Sequence, residues 1–369
     1  MTTSLPTDVE RVGRPQIVWD GLGLAHPNSG VGVYGRNLCS SLNELGCQPS
    51  ILAFTDEAIE FTAEEQRIKI QARQGTFFSK LERLKPFYPS VTYAAAKERW
   101  NNQSVIFHGL SNINLPVFAR KRTGDRFVVT VHDLTPLNLE EITPLYLQYL
   151  TLLPGVIKRA DKILTPSQWT KIQILERYGI SVSEKIEILG YGTTPSQTPM
   201  KEWSARSIDG LTISRGEGYK RLHFISEIAS ALSHRSFTVV TDALGAKSLQ
   251  NSPRNLTVLQ NVSNVELEEL YSNSKILIHP SLYEGWCLPA SDALARGLIL
   301  LYCRGSGIDE VAGYGKKQVK AMKPDSPVDE WISAFDALVG KAPTGLDQLR
   351  LPSWLEIAQK TLKIYDSLL

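Results

Sequence analysis

Short runs of β-branched and aliphatic residues alternate with longer amphipathic stretches, and this alternation runs along the chain in two series. The first series predicts strands at 16–19, 49–54, 105–108, 127–131, 162–165 and 186–189 and helices at 33–45, 145–159 and 168–178. The second predicts strands at 211–214, 237–241, 256–259, 276–279 and 298–302 and helices at 219–232, 265–272 and 288–296. Because strand–helix alternation is typical of βαβ units, we expect an α/β protein in which each series forms a parallel sheet.

The segment 191–206 separates the two series, because its Gly, Pro, Ser and Thr residues interrupt all periodicity. We therefore predict an N-terminal domain over 1–193, a linker over 194–206 and a C-terminal domain over 207–351. Two consecutive α/β units of similar size joined by one linker predict a cleft between two sheets. The last stretch, 352–369, has the periodicity of an amphipathic helix.

Composition and charge narrow the classes of function. The 369 residues include 40 Lys and Arg against 38 Asp and Glu, a formal net charge of +2, so we expect no nucleic-acid partner. The four cysteines form no C-x-x-C pair, which argues against structural zinc and for a reducing compartment. Residues 1–14 lack the apolar core of a secretory signal, and no apolar stretch approaches the ~20 residues of a membrane span, so we expect a cytoplasmic protein.

The richest segment for chemistry is 279–297, HPSLYEGWCLPASDALARG. A predicted strand ends at His279, and a helix is expected to begin near Leu288, where Pro289 suits the first turn. The free amides at that helix N-terminus form an anion site at the carboxyl edge of a sheet. Glu284 and Asp292 flank this turn, which would suit a sugar diphosphate if one acid contacts hydroxyls on each side of it. Alternatively, both acids are ordinary helix N-terminal charges stabilised by the dipole.

Two cations follow the first strand of the second series. Arg215 and Lys220 are five residues apart around a glycine-containing turn, after Ser214. They can converge on one diphosphate and neutralise the charge that grows on a leaving group. The alternative is a solvated basic turn.

The first series holds further candidates. Gly30 and Gly32 lie between the first strand and the first helix, although a lone glycine pair usually means only a turn. His132 and Asp133 end a strand at the edge where ligands bind in such sheets, although a lone histidine is more often structural. The remaining candidates are His108, which ends the preceding predicted strand, and Ser167, which precedes a helix as a cap or as part of the acceptor side.

Together these segments resemble the retaining glycosyltransferases of family 4, which have the GT-B fold of two Rossmann-like domains. Residues 284–289, EGWCLP, are similar to the family pattern E-G-F-G-L-P-x-x-E-A, with Asp292 in place of the second Glu. The segment from Ser214 to Lys220 resembles G-R-x-x-x-x-K, with Ser214 in place of Gly. The loop with Gly30 and Gly32 resembles G-G-[IV]-G-x-Y, and 132–137 resembles the H-D-L-x-P-L segment of mannosyltransferase-like members.

The resemblance implies a role for each residue. Glu284 would contact the transferred sugar, the amides that follow it would hold the donor phosphates, and Asp292 would bind the ribose. The implied catalytic set is Glu284, His132, Arg215 and Lys220. The implied donor-binding set is Gly30, Gly32, Ser214, Arg215, Lys220, Glu284, Gly285, Trp286, Cys287, Leu288 and Asp292. The acceptor side would include His108, Asp133 and Ser167.

The implied activity is retaining transfer of a hexose, with a lean to mannose from GDP-mannose, onto a hydroxyl of a glycan or lipid-linked glycan. No cofactor or metal is expected, because the two cations and the helix amides would neutralise the diphosphate. The resemblance also implies that the helix at 352–369 crosses back to the first domain. Two alternatives are an inactive sugar-nucleotide sensor or assembly subunit and a nucleotide-sugar epimerase of the same fold.

One stretch of the first domain suggests a peripheral membrane contact. Phe77–Trp100 holds six aromatic residues and a local charge of +3, from five basic residues against Glu82 and Glu98. Aromatic rings and basic side chains both favour an anionic bilayer surface. We expect Pro86 and Pro89 to interrupt a helix and to leave Phe87 and Tyr88 on an exposed turn. The alternative is a core helix with a solvated basic edge.

Overall fold

The computed structural model describes residues 15–25, 29–53, 60–63, 66–69, 71–72, 86–139, 141–196, 199–343 and 349–369. The chain divides into two compact units. The first comprises Met1–Gly192 together with Ser353–Leu369, and the second comprises Thr193–Pro352. The predicted linker 194–206 falls in the second unit, where Arg206 is buried and donates from Nη1 to the carbonyl of Ser274 at 2.9 Å.

The first unit is built on a parallel sheet in the order β5-β2-β1-β6-β7-β8-β9. Its strands are β1 (Gln16–Asp20), β2 (Ser50–Ala53), β5 (Gln71–Ala72), β6 (Val105–Gly109), β7 (Arg126–Thr130), β8 (Lys162–Thr165) and β9 (Ile186–Ile188). An antiparallel pair, β3 (Glu60–Ala63) and β4 (Gln66–Lys69), stands apart from it. The helices are α1 (Gly30–Glu44), α2 (Tyr88–Arg99), α3 (Thr135–Asn138), α4 (Pro144–Arg159) and α5 (Gln168–Tyr178).

The second unit is built on a parallel sheet in the order β12-β11-β10-β13-β14-β15. Its strands are β10 (Ile208–Ile213), β11 (Phe237–Val240), β12 (Leu256–Leu259), β13 (Ser274–His279), β14 (Ile299–Cys303) and β15 (Val319–Met322). The helices are α6 (Leu222–Ala231), α7 (Ala243–Ser248), α8 (Asn264–Asn273), α9 (Leu288–Ala295), α10 (Ile308–Gly315) and α11 (Val328–Val339). The α/β class and the two parallel sheets predicted from the sequence are confirmed.

Each sheet has its own apolar core. All five residues of β6 are buried, as expected for a parallel strand that is covered on both faces. The same core contains Val18 of β1, Phe127 of β7 and Ile163 of β8. In the second unit, Ile278 and Leu301 pack against Trp331 of α11. The continuous apolar runs in the sequence are thus the central strands of two separate cores.

The last helix, α12 (Trp354–Asp366), packs in the first unit against α1. The backbone at Gly192 lies so close to this helix that a Cβ atom on Gly192 would be 2.4 Å from the backbone nitrogen of Trp354. Inside the unit, the Tyr365 hydroxyl accepts from Trp19 Nε1 at 3.0 Å and lies 2.6 Å from His108 Nδ1. The predicted return of the C-terminal helix to the first domain is therefore observed.

Two helix starts differ from the sequence prediction. Helix α1 begins at Gly30 and not near Val33, because the Ser29 hydroxyl accepts from the Gly32 amide at 3.0 Å and caps the helix early. Gly30 and Gly32 are therefore first-turn residues of α1 and not loop residues. Helix α6 begins only at Leu222, because Arg221 adopts a left-handed conformation (φ 52°) that ends the preceding short turn.

The predicted exposed turn at Phe87 and Tyr88 is wrong for Tyr88. Tyr88 is buried and opens α2, whose first turn accommodates Pro89 because a first-turn residue needs no helical amide bond. Tyr93 is also buried, packing against Phe107 and Phe127, whereas Phe87 stays 44% exposed. Residues 77–85 of the predicted membrane stretch lie outside the described residues. None of the described helices combines the length and apolar content that crossing a bilayer requires.

Candidate active site

The second unit brings Glu284 together with two nitrogen donors at the carboxyl ends of its central strands. Lys220, in the turn after β10, places Nζ 2.7 Å from Glu284 Oε1. His279, the last residue of β13, places Nε2 2.6 Å from the same oxygen. Because both donors converge on Oε1, the carboxylate is held in one orientation while Oε2 takes no part in these two bonds.

The ion pair sets the protonation state of this cluster. Burial would raise the pKa of Glu284, but the adjacent Lys220 and His279 more than offset it and hold that pKa well below its usual range. Burial likewise disfavours the Lys220 ammonium, but the neighbouring Glu284 raises the pKa of Lys220 above its usual value. Glu284 is therefore a carboxylate, Lys220 is an ammonium, and His279 donates from Nε2. His279 Nδ1 is buried with no hydrogen-bond partner in the described part of the chain.

Cys287 completes the cluster, with Sγ 3.5 Å from His279 Nε2. Ligand atoms of His279, Glu284 and Cys287 lie within 4.8 Å of one another, a spacing that a metal ion could use. The Lys220 ammonium already neutralises Glu284, however, and burial raises the pKa of Cys287 well above that of a free thiol. The described residues thus form an ion-pair network more readily than a cation site.

The loop between Glu284 and α9 is shaped by close backbone approaches. Cys287 adopts φ 80°, an unusual value for a residue with a side chain, immediately before Leu288 begins α9. The Gly307 amide donates to the Glu284 carbonyl at 2.8 Å, and a Cβ on Gly307 would lie 2.1 Å from the Gly285 oxygen. The positive end of α9 therefore begins beside Gly285, Trp286 and Cys287, as the sequence predicted.

Arg215 does not join this cluster. Its side chain is 69% exposed and pairs with Glu217 at 3.0 Å and Asp242 at 3.6 Å. Exposed pairs of this kind are worth little, so another anion could take their place. Ser214, which precedes it, has its hydroxyl buried with no partner among the described residues.

Asp292 faces a different cation. Asp292 Oδ1 lies 3.6 Å from Arg296 Nη1. The other amino group of Arg296, Nη2, pairs with Glu268. Burial raises the pKa of Asp292 to about 6, and the Glu268 charge adds to this, although Arg296 opposes it. The ribose-binding role of Asp292 stays a prediction.

In the first unit, the structure fixes the His132 ring through both nitrogens. Nε2 lies 2.8 Å from the Leu110 carbonyl, and Nδ1 is hydrogen-bonded to the Tyr191 hydroxyl. The carbonyl can only accept, so Nε2 carries the proton. Burial lowers the pKa of His132, which favours the neutral ring.

Asp133 and Ser167 both make local bonds near His132: Asp133 closes the turn before α3, and Ser167 is the N-cap of α5. Asp133 Oδ1 accepts from the Thr135 amide at 2.8 Å, and Ser167 Oγ accepts from the Thr170 amide at 3.1 Å. Thr170 in turn donates to the His132 carbonyl at 3.2 Å, which joins these residues into one corner of the unit.

His108 does not have the exposed position that the implied acceptor-side role requires. It is fully buried, with Nδ1 2.6 Å from the Tyr365 hydroxyl and Nε2 2.9 Å from Thr130 Oγ1. Burial lowers the pKa of His108 to about 3, so the ring is neutral and anchors α12 to the sheet.

Comparison with known proteins decides the family. A family model described as "Glycosyltransferase Family 4" matches residues 28–197, and one described as "Glycosyl transferases group 1" matches residues 244–338. These two matches together cover more than two thirds of the chain, in the order of the two units.

The chain is a family 4 glycosyltransferase.

Individual relatives of this glycosyltransferase are more distant. The O-antigen chain mannosyltransferase RfbU of Salmonella typhimurium is 28% identical over 62% of the chain and 68% of its own length. The MMP alpha-(1->4)-mannosyltransferase of Mycolicibacterium hassiacum is 29% identical, and that match spans 28% of the chain and 27% of the relative. Sucrose-phosphate synthase from Thermosynechococcus elongatus superposes with a TM-score of 0.74 over 96% of this chain and 99% of that one, at 15% identity. The fold is therefore GT-B.

Two residues of the glycosyltransferase's candidate site were missed in the sequence. His279 ends β13 as His132 follows β7, and this shared strand-end position was a usable indication. Tyr191 belongs to the segment interpreted as a break in periodicity, so its bond to His132, 59 residues away, had no local pattern to indicate it.

Proposed function

We propose that this glycosyltransferase moves a hexosyl group from a nucleotide-diphosphate sugar to a hydroxyl of a glycan acceptor. The observation that carries the proposal is the Lys220–Glu284–His279 cluster beside the N-terminus of α9. A buried ammonium and helix amides suit a diphosphate, and a fixed carboxylate suits a sugar hydroxyl. Both kinds of group are present within one loop system of the second unit.

The chemistry follows from these charges. When the bond between the anomeric carbon and the diphosphate oxygen breaks, negative charge grows on the leaving diphosphate. Lys220 can turn from Glu284 towards that charge, and Arg215, held only by exposed acids, can exchange them for it. Glu284 would keep its orientation through His279 and accept from a sugar hydroxyl with Oε2.

Retention of the anomeric configuration and independence from metal are parts of this proposal. In the retaining course, the acceptor hydroxyl attacks on the face from which the diphosphate departs, and its proton passes to the β-phosphate. The two cations would do the neutralising work of a divalent ion. Activity that survives EDTA and yields an α-linked product from an α-linked donor would support both points.

The proposed donor is GDP-mannose and the proposed acceptor is a glycan or a lipid-linked glycan. The support is that both curated relatives are named mannosyltransferases, one of them for the O-antigen chain. We further propose that the reaction takes place in the cytoplasm, which the buried free thiols of Cys39, Cys287 and Cys303 favour.

The test is a donor panel with EDTA present. GDP-mannose, UDP-glucose and dTDP sugars are each incubated with the enzyme, and release of the nucleoside diphosphate is measured with and without a glycan acceptor. We expect slow hydrolysis of one donor, abolished in Glu284→Gln and unchanged in Glu227→Gln, an exposed glutamate on α6. Binding without release by any donor would favour the inactive sensor, and release of an epimerised sugar nucleotide would favour the epimerase.

A further inference from the structure

The outward face of α4 in the first unit is apolar. From Ile142 to Ile157 the chain (ITPLYLQYLTLLPGVI) has no charged side chain. The inner residues of α4 pack in the core, whereas Leu147 and Leu150 on the outer side are 47% and 44% exposed. At the start of the helix, Leu145 is 48% exposed and Ile142 is 82% exposed. Because surface helices usually carry polar residues outward, this face is suited to an apolar partner.

The apolar surface continues past α4. Gly155 packs beside Val117, whose Cγ1 would lie 3.4 Å from a Cβ at that position. The next residue, Phe118, is 56% exposed and stacks on Phe87 with ring centroids 4.7 Å apart. We call this area the apolar surface; its exposed members are Phe87, Val91, Phe118, Ile142, Leu145, Leu147 and Leu150.

Basic residues border the apolar surface. Exposed Lys158 follows the uncharged stretch directly, and the Arg159 guanidinium donates to the Ala119 carbonyl beside Phe118. Lys97 Nζ donates to the Arg120 carbonyl at 3.3 Å, and Lys121 pairs with Asp161 at 2.5 Å. The border therefore consists of Lys97, Arg120, Lys121, Lys158 and Arg159. Asp161 offsets one of these charges, and Glu98 and Arg99 of α2 cancel each other. Glu140 and Glu141 stand directly before Ile142 in the sequence, so the five basic residues and these three acids leave a net charge of +2.

The charges distinguish between two occupants. In a two-fold dimer, the same surface meets itself, which would bring the two basic borders together. An anionic lipid bilayer instead accepts apolar side chains at its headgroup boundary and attracts Lys and Arg. We propose that the apolar surface docks this protein on an anionic bilayer, with the outer face of α4 inserted at the headgroup boundary.

The apolar surface differs from the predicted stretch Phe77–Trp100, because it is assembled from three parts of the chain. Phe87 and Val91 belong to both, but the buried Tyr88 and Tyr93 cannot reach a bilayer. Docking itself does not rest on the proposed reaction. One consequence of docking does rest on the proposed reaction: the enzyme would take a lipid-linked acceptor from the same bilayer.

The experiment is co-sedimentation of the full chain with vesicles of phosphatidylcholine alone or with 30% phosphatidylglycerol. The variants are Leu147→Glu/Leu150→Glu on the apolar surface and Arg120→Glu/Lys158→Glu on its border. The matched control is Val265→Glu, which puts the same charge on an apolar residue of α8 in the second unit that is 71% exposed. Circular dichroism and turnover of a water-soluble acceptor check that each variant is folded.

We expect binding to anionic vesicles that weakens with salt, falls at least tenfold in both double variants and stays unchanged in Val265→Glu. Turnover of the water-soluble acceptor should remain that of the wild type in all of them. Three outcomes would overturn docking: no vesicle binding, equal binding to neutral and anionic vesicles, or binding that the Leu147→Glu/Leu150→Glu variant retains. A dimer in sedimentation analysis that this variant dissociates would also overturn it, in favour of a second copy. Failure of docking with normal turnover leaves the proposed function intact, and the reverse result removes only the proposed function.

Discussion

The candidate residues of the second unit are charged, whereas the candidate histidines of the first unit are neutral. In the second unit, Glu284 and Lys220 form a buried ion pair, with His279 donating to the same carboxylate oxygen. In the first unit, His132 and His108 are neutral rings whose nitrogens are all hydrogen-bonded to hydroxyls or a carbonyl. This contrast suits the proposed reaction, in which the second unit would bind a charged diphosphate and the first unit would orient uncharged acceptor hydroxyls. Two parallel sheets of similar build can therefore place different kinds of side chain, charged or neutral, at their carboxyl edges.

The largest expected effect comes from removing the buried ammonium group of Lys220 in the second unit. Lys220→Ala should lower kcat by about 10²–10³, because the charge that grows on the diphosphate loses its buried cation. The measurement is turnover at saturating donor. Lys247→Ala, an exposed lysine on α7, is the control and should match the wild type. Near-normal turnover in Lys220→Ala would mean that the charged cluster does not serve the leaving group.

The next effect concerns stability of the first unit. Tyr365→Phe should lower the free energy of unfolding by about 1–3 kcal/mol, because Trp19 Nε1 and His108 Nδ1 lose their buried partner. Chemical denaturation followed by tryptophan fluorescence gives the value. Since the network is neutral, the loss should be nearly the same at pH 6 and pH 8. A stability loss that differed strongly between pH 6 and pH 8 would contradict a neutral network of Trp19, Tyr365 and His108.

His279 sharpens the comparison through pH. His279→Leu should raise the pKa of Glu284, because one of the two groups that lower it is gone. Activity needs the carboxylate, so the acid limb of the kcat/KM profile should move to higher pH, and kcat near neutrality should fall about tenfold, the ~1.4 kcal/mol of one buried hydrogen bond. His279→Gln, which keeps a side-chain N–H donor, should restore part of the shift.

A purely structural role for His279 would give a different result. Leu and Gln would then lower activity by the same factor at every pH, with no displacement of the acid limb. His223→Gln, at an exposed histidine of α6, provides the baseline profile.

The smallest effect should come from Tyr191, which orients the neutral His132 ring. Tyr191→Phe removes one hydrogen bond, worth about 0.5–1.5 kcal/mol, so we expect a two- to tenfold rise in the KM for acceptor. The Kd for donor, measured by calorimetry, should not change, because Lys220 and Glu284 of the proposed donor site lie in the other unit. Tyr146→Phe on α4 is the control. A change in donor affinity alone would place His132 on the donor side.

The local part of the candidate site was predictable from the sequence. The carboxyl edge of β13, the loop with Glu284 and the start of α9 follow from an apolar run, a turn and a proline within twenty residues. Lys220 was predicted from its spacing to Arg215, but the two cations have different partners, Glu284 for Lys220 and Glu217 and Asp242 for Arg215. Spacing along a turn limits where a side chain can reach and does not choose its partner.

The sequence by itself determined the α/β class, the two series of strands and helices and the family, because each depends on periodicity or on a motif within a short window. Only the tertiary structure decided that His108 anchors the last helix and that three distant segments form one apolar surface. His108 and Tyr365 are 257 residues apart, and the partner of a buried ring nitrogen depends on how whole helices pack. Exposure is decided in the same way, since Tyr93 and Phe87 belong to one aromatic stretch and only packing made one core and the other surface.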